Sequence, residues 1–358
     1  MSGGRDSAAL AAHPWQERDV VILAEARLED GRLACFLQPA PADAARMLAV
    51  IQDAFSHRPP IDPPPPALSE TVETVRAALA TGSGVLAEIE GEPAGALIVV
   101  PEGAHSWITR VSVRPAFQRQ GIASAMVEVA LDQLAELGVP TADLIARAEF
   151  PPVVRWWRRH GFQQVDAEGT RLHLARALPV CVEVPTAEDM QRLGRGLAAV
   201  VAPGDLILAS GDLGAGKTTF TQGLGAGMGV SGAIISPTFV LARIHPNPGG
   251  GPGLVHVDAY RLGSFAEVED LDLDVSLADS VTLVEWGEGV AEGLSDDRLE
   301  IDIRRSLDPA DDTRWVFLTP IGDRWADARP QLEALRDSGW NRPPSASRPP
   351  TESAQVRR

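Results

Sequence analysis

Residues 206–220 read LILASGDLGAGKTTF, an apolar run that turns through glycines into one basic and two hydroxyl residues. Its centre, Gly211-Asp212-Leu213-Gly214-Ala215-Gly216-Lys217-Thr218, fits the phosphate-binding pattern G-x-x-x-x-G-K-[ST] without a gap. The chemistry of a polyphosphate explains these residue types. Glycines let the backbone curl until successive N–H groups point at one place, a nest for anionic oxygens. A helix opening at Lys217 adds the positive end of its dipole. The Lys217 ammonium reaches the β- and γ-phosphates, and the Thr218 hydroxyl, followed by Thr219, is placed to hold the Mg²⁺ that bridges them. A strand over 206–209 and a helix over 218–228 are the expected flanks. Lys217 is also the only lysine among 32 basic residues, so compositional background does not supply it.

At 358 residues the chain has room for about two domains. Acids outnumber bases in both halves, 22 against 16 in residues 1–179 and 27 against 16 in 180–358, and the net charge is −17. That balance argues against a protein that grips nucleic acid or an anionic membrane directly, because phosphate backbones are drawn to basic surfaces. Cys35 and Cys181 are too few for a disulfide framework or a metal site and read as buried thiols in a cytoplasmic protein. No apolar run approaches the ~18 residues of a membrane span.

Residues 1–18 are small and polar and read as a disordered tail, with a first domain over 19–179. Within it a first strand is expected at 33–38 and a helix at 41–56, with Ala44, Met47, Leu48, Ile51 and Phe55 on one face. The run PPIDPPPPA at 59–67 reads as a stiff extended loop. Ser69 is the expected cap of a helix reaching Ala80. A hairpin (84–90 with 94–100) and a strand (107–113) come next. Ile122, Met126, Ala130 and Leu134 then recur at helical spacing until Gly138 and Pro140. A strand at 144–148, a short helix at 153–160 ended by Gly161-Phe162, a strand that follows this pair, and a last strand at 171–177 complete the domain.

The turn before the 122 helix, Gln118-Arg119-Gln120-Gly121-Ile122-Ala123, resembles the [QR]-x-x-G-x-[GA] signature of the GNAT acetyltransferases, and the order of elements is similar over 20–178. The resemblance implies a mixed α/β sheet and acetyl-CoA bound at Val111 and Val113 of the strand and at Gln118, Arg119, Gln120, Gly121, Ile122 and Ala123. Turn N–H groups would hold its pyrophosphate. Many GNAT members carry a tyrosine general acid four residues before the glycine of the Gly-Phe pair; here that position is Trp157, and the sole tyrosine is Tyr260. Glu88, Glu90 and Glu149 flank strand ends as candidate bases, although solvated surface carboxylates are the simpler reading. The acetyl acceptor is not specified by the sequence; a protein N-terminus is one candidate.

A second α/β domain is expected over 180–320, with Thr186 capping a helix ahead of the phosphate loop. Ser236-Pro237-Thr238-Phe239, then Asp258 after LVHV and Glu285 after VTLV, follow in order. Each acid sits where an apolar strand leaves the core, the place of a second metal anchor in a nucleotide site. The set GDLGAGKTT, SPTF, HVDAYRL and VEWGE resembles the TsaE family. That resemblance implies a P-loop NTPase fold with ATP and Mg²⁺ as cofactors. It further implies slow hydrolysis that serves threonylcarbamoyladenosine formation at position 37 of tRNA, with TsaB and TsaD as partners and tRNA met only through them. Carried over to this chain, Lys217 and Thr218 serve phosphate and metal, and Thr238 lies in a switch-like segment. Asp258 and Glu285 hold metal or water, and Tyr260, Arg261 and Trp286 shape the nucleotide or partner surface. The separate roles of the two acids stay open. Residues 321–358 read as a helix and a disordered tail.

Two other readings stay open at this level: a small-molecule P-loop kinase, and a first domain that binds acyl-CoA without transferring it.

Overall fold

The computed structural model describes residues 21–237, 241–261, 267, 278–306 and 311–337. Thr238 and Phe239 and both expected tails lie outside the described residues. The chain divides into two units, one holding residues 21–133 and Thr141–Arg176, the other holding Leu134–Pro140 and the described residues 177–337.

The first unit is a sheet with strand order β1-β2-β3-β4-β5-β6-β8-β7. Its elements are β1 (Val21–Arg27), β2 (Leu33–Gln38), α1 (Ala44–Ser56), α2 (Val72–Thr81), β3 (Ser83–Ile89), β4 (Glu92–Glu102), β5 (His105–Val113), α3 (Ile122–Glu136), β6 (Thr141–Arg147), α4 (Pro151–Arg159), β7 (Gln163–Glu168) and β8 (Arg171–Ala177). Strand β2 is therefore not the first. Val21–Arg27 pairs antiparallel with it, satisfying the backbone groups along the outer side of β2. The helix expected from Ser69 starts later. Thr71 is the cap, its hydroxyl accepting the Thr74 N–H at 3.3 Å while the Thr74 hydroxyl accepts the Thr71 N–H at 2.9 Å. Met47, Val50 and Ile51 of α1 pack with Leu37, Leu86 and Ile98 of the sheet. Beside them Cys35 is fully buried, and burial together with the Glu25 carboxylate pushes its thiol up to about 12.

The second unit has strand order β11-β12-β13-β10-β14-β15-β9. It runs β9 (Val180–Val184), α5 (Ala187–Leu197), β10 (Leu206–Ser210), α6 (Lys217–Met228), β11 (Ala242–His245), β12 (Gly253–Asp258), β13 (Ser280–Glu285), β14 (Arg298–Arg305), β15 (Arg314–Ile321), α7 (Asp323–Asp327) and α8 (Arg329–Asp337). Strands β12, β13, β10 and β14 are mutually parallel, with antiparallel partners at either side. Parallel strands buried on both faces read as near-continuous apolar runs, which is why LILA, LVHV and VTLV stand out in the sequence. Thr186 caps α5 as expected, its hydroxyl accepting the Asp189 N–H at 3.1 Å. One face of the sheet packs on Leu193, Leu197, Phe220 and Leu224 of α5 and α6, and the same core takes in Trp325 and Leu332 of α7 and α8. No described helix is long and apolar enough to cross a membrane.

Candidate functional sites

In the second unit, the parallel register sets the site. Asp258 lies opposite Glu285, and Glu285 lies opposite Ala209, so two carboxylates and the start of the glycine turn share the C-terminal edge of three neighbouring strands. Ligands of open α/β sheets bind at this edge.

The glycine turn has the backbone its sequence demands. Gly211, Gly214 and Gly216 have φ of 134°, 78° and 116°. A Cβ on Gly211 would stand 2.4 Å from the carbonyl oxygen of Ile303, so the turn closes against β14 only without a side chain there. Helix α6 begins at Lys217, leaving its first N–H groups without intrahelical acceptors. The Lys217 ammonium donates to the carbonyls of Gly211 (2.6 Å) and Asp212 (3.0 Å) and sits 3.7 Å from the centroid of the Trp286 ring. Burial pushes its pKa down, against the opposing pull of Glu285, Asp258 and Asp212.

The two acids occupy different surroundings. Glu285 is buried, and its Oε1 accepts the Thr218 hydroxyl at 2.9 Å and lies 2.9 Å from His256 Nε2. Asp258, also buried, accepts the Ser236 hydroxyl at 3.1 Å and the Tyr260 N–H at 3.0 Å. Glu285 thus faces the helix that follows the glycine turn, and Asp258 faces Ser236. Trp286 adopts φ 61° and donates its N–H to Ala209 at 3.0 Å, with the Tyr260 ring at 5.2 Å edge-on. Tyr260, Leu213 and Arg261 are exposed, while Ala215 is fully buried under the turn and Thr219 is half-buried. The sequence assigns no role to Ser236 or His256. Ser236 is only the first letter of SPTF there, and His256 sits in an apolar strand run with no spacing signal of its own.

In the first unit, β5 and β6 pair only over His105–Trp107 against Thr141–Asp143, so the strands part beyond Trp107. The register of β5 against β4 slips between Ala96 and Ile98, where Arg110 takes φ 56°, a bulge that re-aims the strand. Past it, Val113 is buried and Val111 half-buried; the Val111 carbonyl accepts Arg58 at 3.1 Å and the Val113 carbonyl accepts the Gln118 amide at 3.1 Å. Arg119 and Gly121 have φ of 62° and 76°, and α3 opens at once with Ile122 buried and Ala123 half-buried. Gln120 accepts Arg32 at 3.1 Å. The Gln118 and Gln120 side chains therefore brace the turn, while the first N–H groups of α3 remain for a ligand.

Trp157 is buried, edge-on to Phe162 at 5.1 Å, and so fills core space. The expectation of solvated carboxylates fails at Glu88, which is fully buried and ion-paired to Arg46, because its β3 side lies under α1. Glu90 is exposed. Glu149 is held down to about 2, chiefly by its 2.7 Å bond from Arg147, too acidic to serve as a base near neutrality. A cleft of about 310 Å³ that the sequence does not announce opens beside the bulge, lined by Glu70, Thr74, Ile98, Val100, Thr109 and Arg110, with Arg110 Nε donating to Glu70 at 2.7 Å.

Comparison with known proteins matches residues 184–314 to the family described as threonylcarbamoyl adenosine biosynthesis protein TsaE, and residues 48–162 to the acetyltransferase (GNAT) family. The tRNA threonylcarbamoyladenosine biosynthesis protein TsaE of Streptomyces coelicolor is 61% identical over 141 residues, which are 39% of this chain and 95% of that protein. The protein of the same name from Mycobacterium tuberculosis is 46% identical over 129 residues, 34% of this chain and 77% of its own. Among solved structures, the ribosomal-protein-S18-alanine N-acetyltransferase of Escherichia coli is similar over 40% of this chain and 94% of its own, at 18% identity and a TM-score of 0.35.

Proposed function

The chain belongs to the TsaE family and carries a GNAT-family acetyltransferase domain ahead of its TsaE domain, and from that premise we propose that it binds and hydrolyses ATP in the service of threonylcarbamoyladenosine formation at position 37 of tRNA, in the cytoplasm. The observation that carries this reading is the meeting of Lys217, Thr218, Glu285 and Asp258 at one sheet edge over a glycine nest. The residues suit a nucleotide and a divalent ion: a cradle that a Cβ would fill, a free-ended helix, and a hydroxyl and carboxylate already in contact. Mg²⁺, when bound there, neutralises charge developing on the phosphates. Thr218 and Glu285 would hold it. Lys217 exchanges its two loop carbonyls for phosphate oxygens, the backbone N–H groups of 211–219 cradle the chain of phosphates, and Trp286 walls the site. Asp258 ties down the segment leading to Thr238, which would report the γ-phosphate.

The excess of acids in both halves fits action on a protein assembly, with TsaB and TsaD as partners and tRNA reached through them. The GNAT domain would bind acetyl-CoA, its pyrophosphate on the turn from Gln118 to Ala123 and its arm between the parting strands β5 and β6. A second reading, binding without transfer, is favoured by buried Trp157 in place of a tyrosine acid.

Both halves can be tested on the full chain. ATP turnover that rises when TsaB and TsaD are added supports the first proposal, and no nucleotide binding under any condition removes it. Calorimetry with acetyl-CoA should show binding that Gly121→Glu abolishes; equal binding by both proteins removes the pyrophosphate turn.

A further inference from the structure

His256 lies in the middle of β12 and is fully buried. Its neighbours along the same face of the strand are Leu254, in the apolar core under α6, and Asp258. His256 Nε2 lies 2.9 Å from the Glu285 oxygen that also accepts the Thr218 hydroxyl. The imidazole presents Nε2 to a carboxylate oxygen, for which an N–H is the matching donor. Its Nδ1 is buried with no hydrogen-bond partner among the described residues. A side chain kept there for packing alone would be apolar, since a buried polar atom without a partner is a net cost.

We infer that His256 is a positioning residue for the metal-nucleotide site, an inference that rests on the ATP-binding reading above. The Thr218 hydroxyl donates its one proton to Glu285 and keeps its lone pairs for a cation, and His256 gives the same carboxylate oxygen a second partner. His256 belongs to the sheet, is fully buried, and lies against the same oxygen. Its Nε2–H keeps Glu285 aimed at the first turn of α6 whether or not nucleotide is present. Partners of this kind, one shell outside a metal ligand, typically matter by about 10–100-fold in metal affinity or turnover.

The test uses the full chain with His256→Gln, which keeps an N–H donor near the Nε2 position, His256→Asn, whose amide stops short of it, and His256→Leu, which removes the donor. Mn²⁺ binding to the ADP complex is read from the loss of the free-ion electron paramagnetic resonance signal. Affinity for a fluorescent ADP analogue is measured separately in EDTA. Weakening of Mn²⁺ binding by about 10–100-fold in the Asn and Leu variants is expected, with near wild-type behaviour in Gln and unchanged analogue affinity in EDTA throughout. Wild-type Mn²⁺ binding in the Asn and Leu variants overturns the inference, as does loss of analogue binding in EDTA by all three alike, which would mark a merely structural role. Should the Leu variant not fold, the contrast between Gln and Asn decides. A wild-type chain that binds no nucleotide would remove the ATP-binding reading and the inference together, whereas a wild type that binds both ligands beside unaffected variants removes the inference alone.

Discussion

The hydroxyl of Thr218 and Oε1 of Glu285 meet at 2.9 Å, joining the first turn of α6 to the last residue of β13. Sixty-seven residues of chain separate them. The contact ties the proposed metal-holding pair together across the sheet edge. Thr218→Ala and Glu285→Gln should each lower ATP turnover by about 10–100-fold. If the two act as one unit, the double variant falls little further than the worse single one. Strict additivity in a double-mutant cycle would show instead that they act separately.

Gly211→Ala should destabilise the second unit by more than about 1 kcal/mol, because φ of 134° is unfavourable for alanine and the new Cβ would press on the Ile303 carbonyl. Scanning calorimetry would show the second unit's transition lowered and the first unit's unmoved. A variant with both transitions intact and full nucleotide affinity contradicts the close approach of the turn to β14 as the source of the glycine requirement.

Much of the phosphate site is legible in the sequence, for a physical reason: a nest needs glycines and a buried parallel strand needs an apolar run, so both leave dense local patterns. Asp258 and Glu285 can be named because each ends such a run. Their division of labour cannot, since it depends on β12 and β13 standing side by side with Ser236 and Thr218 on different flanks. His256 opens the HVDAYRL run, but its role stays hidden for the same reason: its meaning lies in a cross-strand contact. Strand β1 and the Thr71 cap escape through small local ambiguities, a second apolar run before the more obvious one and a hydroxyl two residues beyond Ser69. Glu88 misleads because a carboxylate on a strand looks solvated until Arg46 of α1 is found above it.

Trp157→Ala should cost the first unit about 3–5 kcal/mol, as removal of a large buried aromatic does. Trp157→Tyr should create no efficient acid catalyst, since the side chain points into the core against Phe162. Thiol release from acetyl-CoA with amine acceptors measures the second variant, and a large gain in rate would contradict the buried placement.

His245 is buried on β11, and burial pushes its pKa below the ordinary value of 6.5. Well above pH 6.5 the ring is neutral in both folded and unfolded chains and makes no difference. As pH falls from 6.5 toward the lower folded value, the unfolded chain takes a proton that the folded chain refuses, so stability declines. Urea unfolding of the wild type should therefore weaken on acidification relative to His245→Leu, with the two curves parallel above about pH 7. Curves that stay parallel down to about pH 5 would contradict the shift.

We propose that the second unit performs the ATP-dependent step of threonylcarbamoyladenosine formation. The most direct test is the threonylcarbamoyladenosine content of tRNA, measured by nucleoside mass spectrometry, in bacteria depleted of their own TsaE and expressing the full chain. Restoration by the wild type and none by equally expressed Lys217→Ala is the predicted result. Well-expressed wild type that leaves the nucleoside absent, or Lys217→Ala that restores it fully, would contradict this role for the second unit.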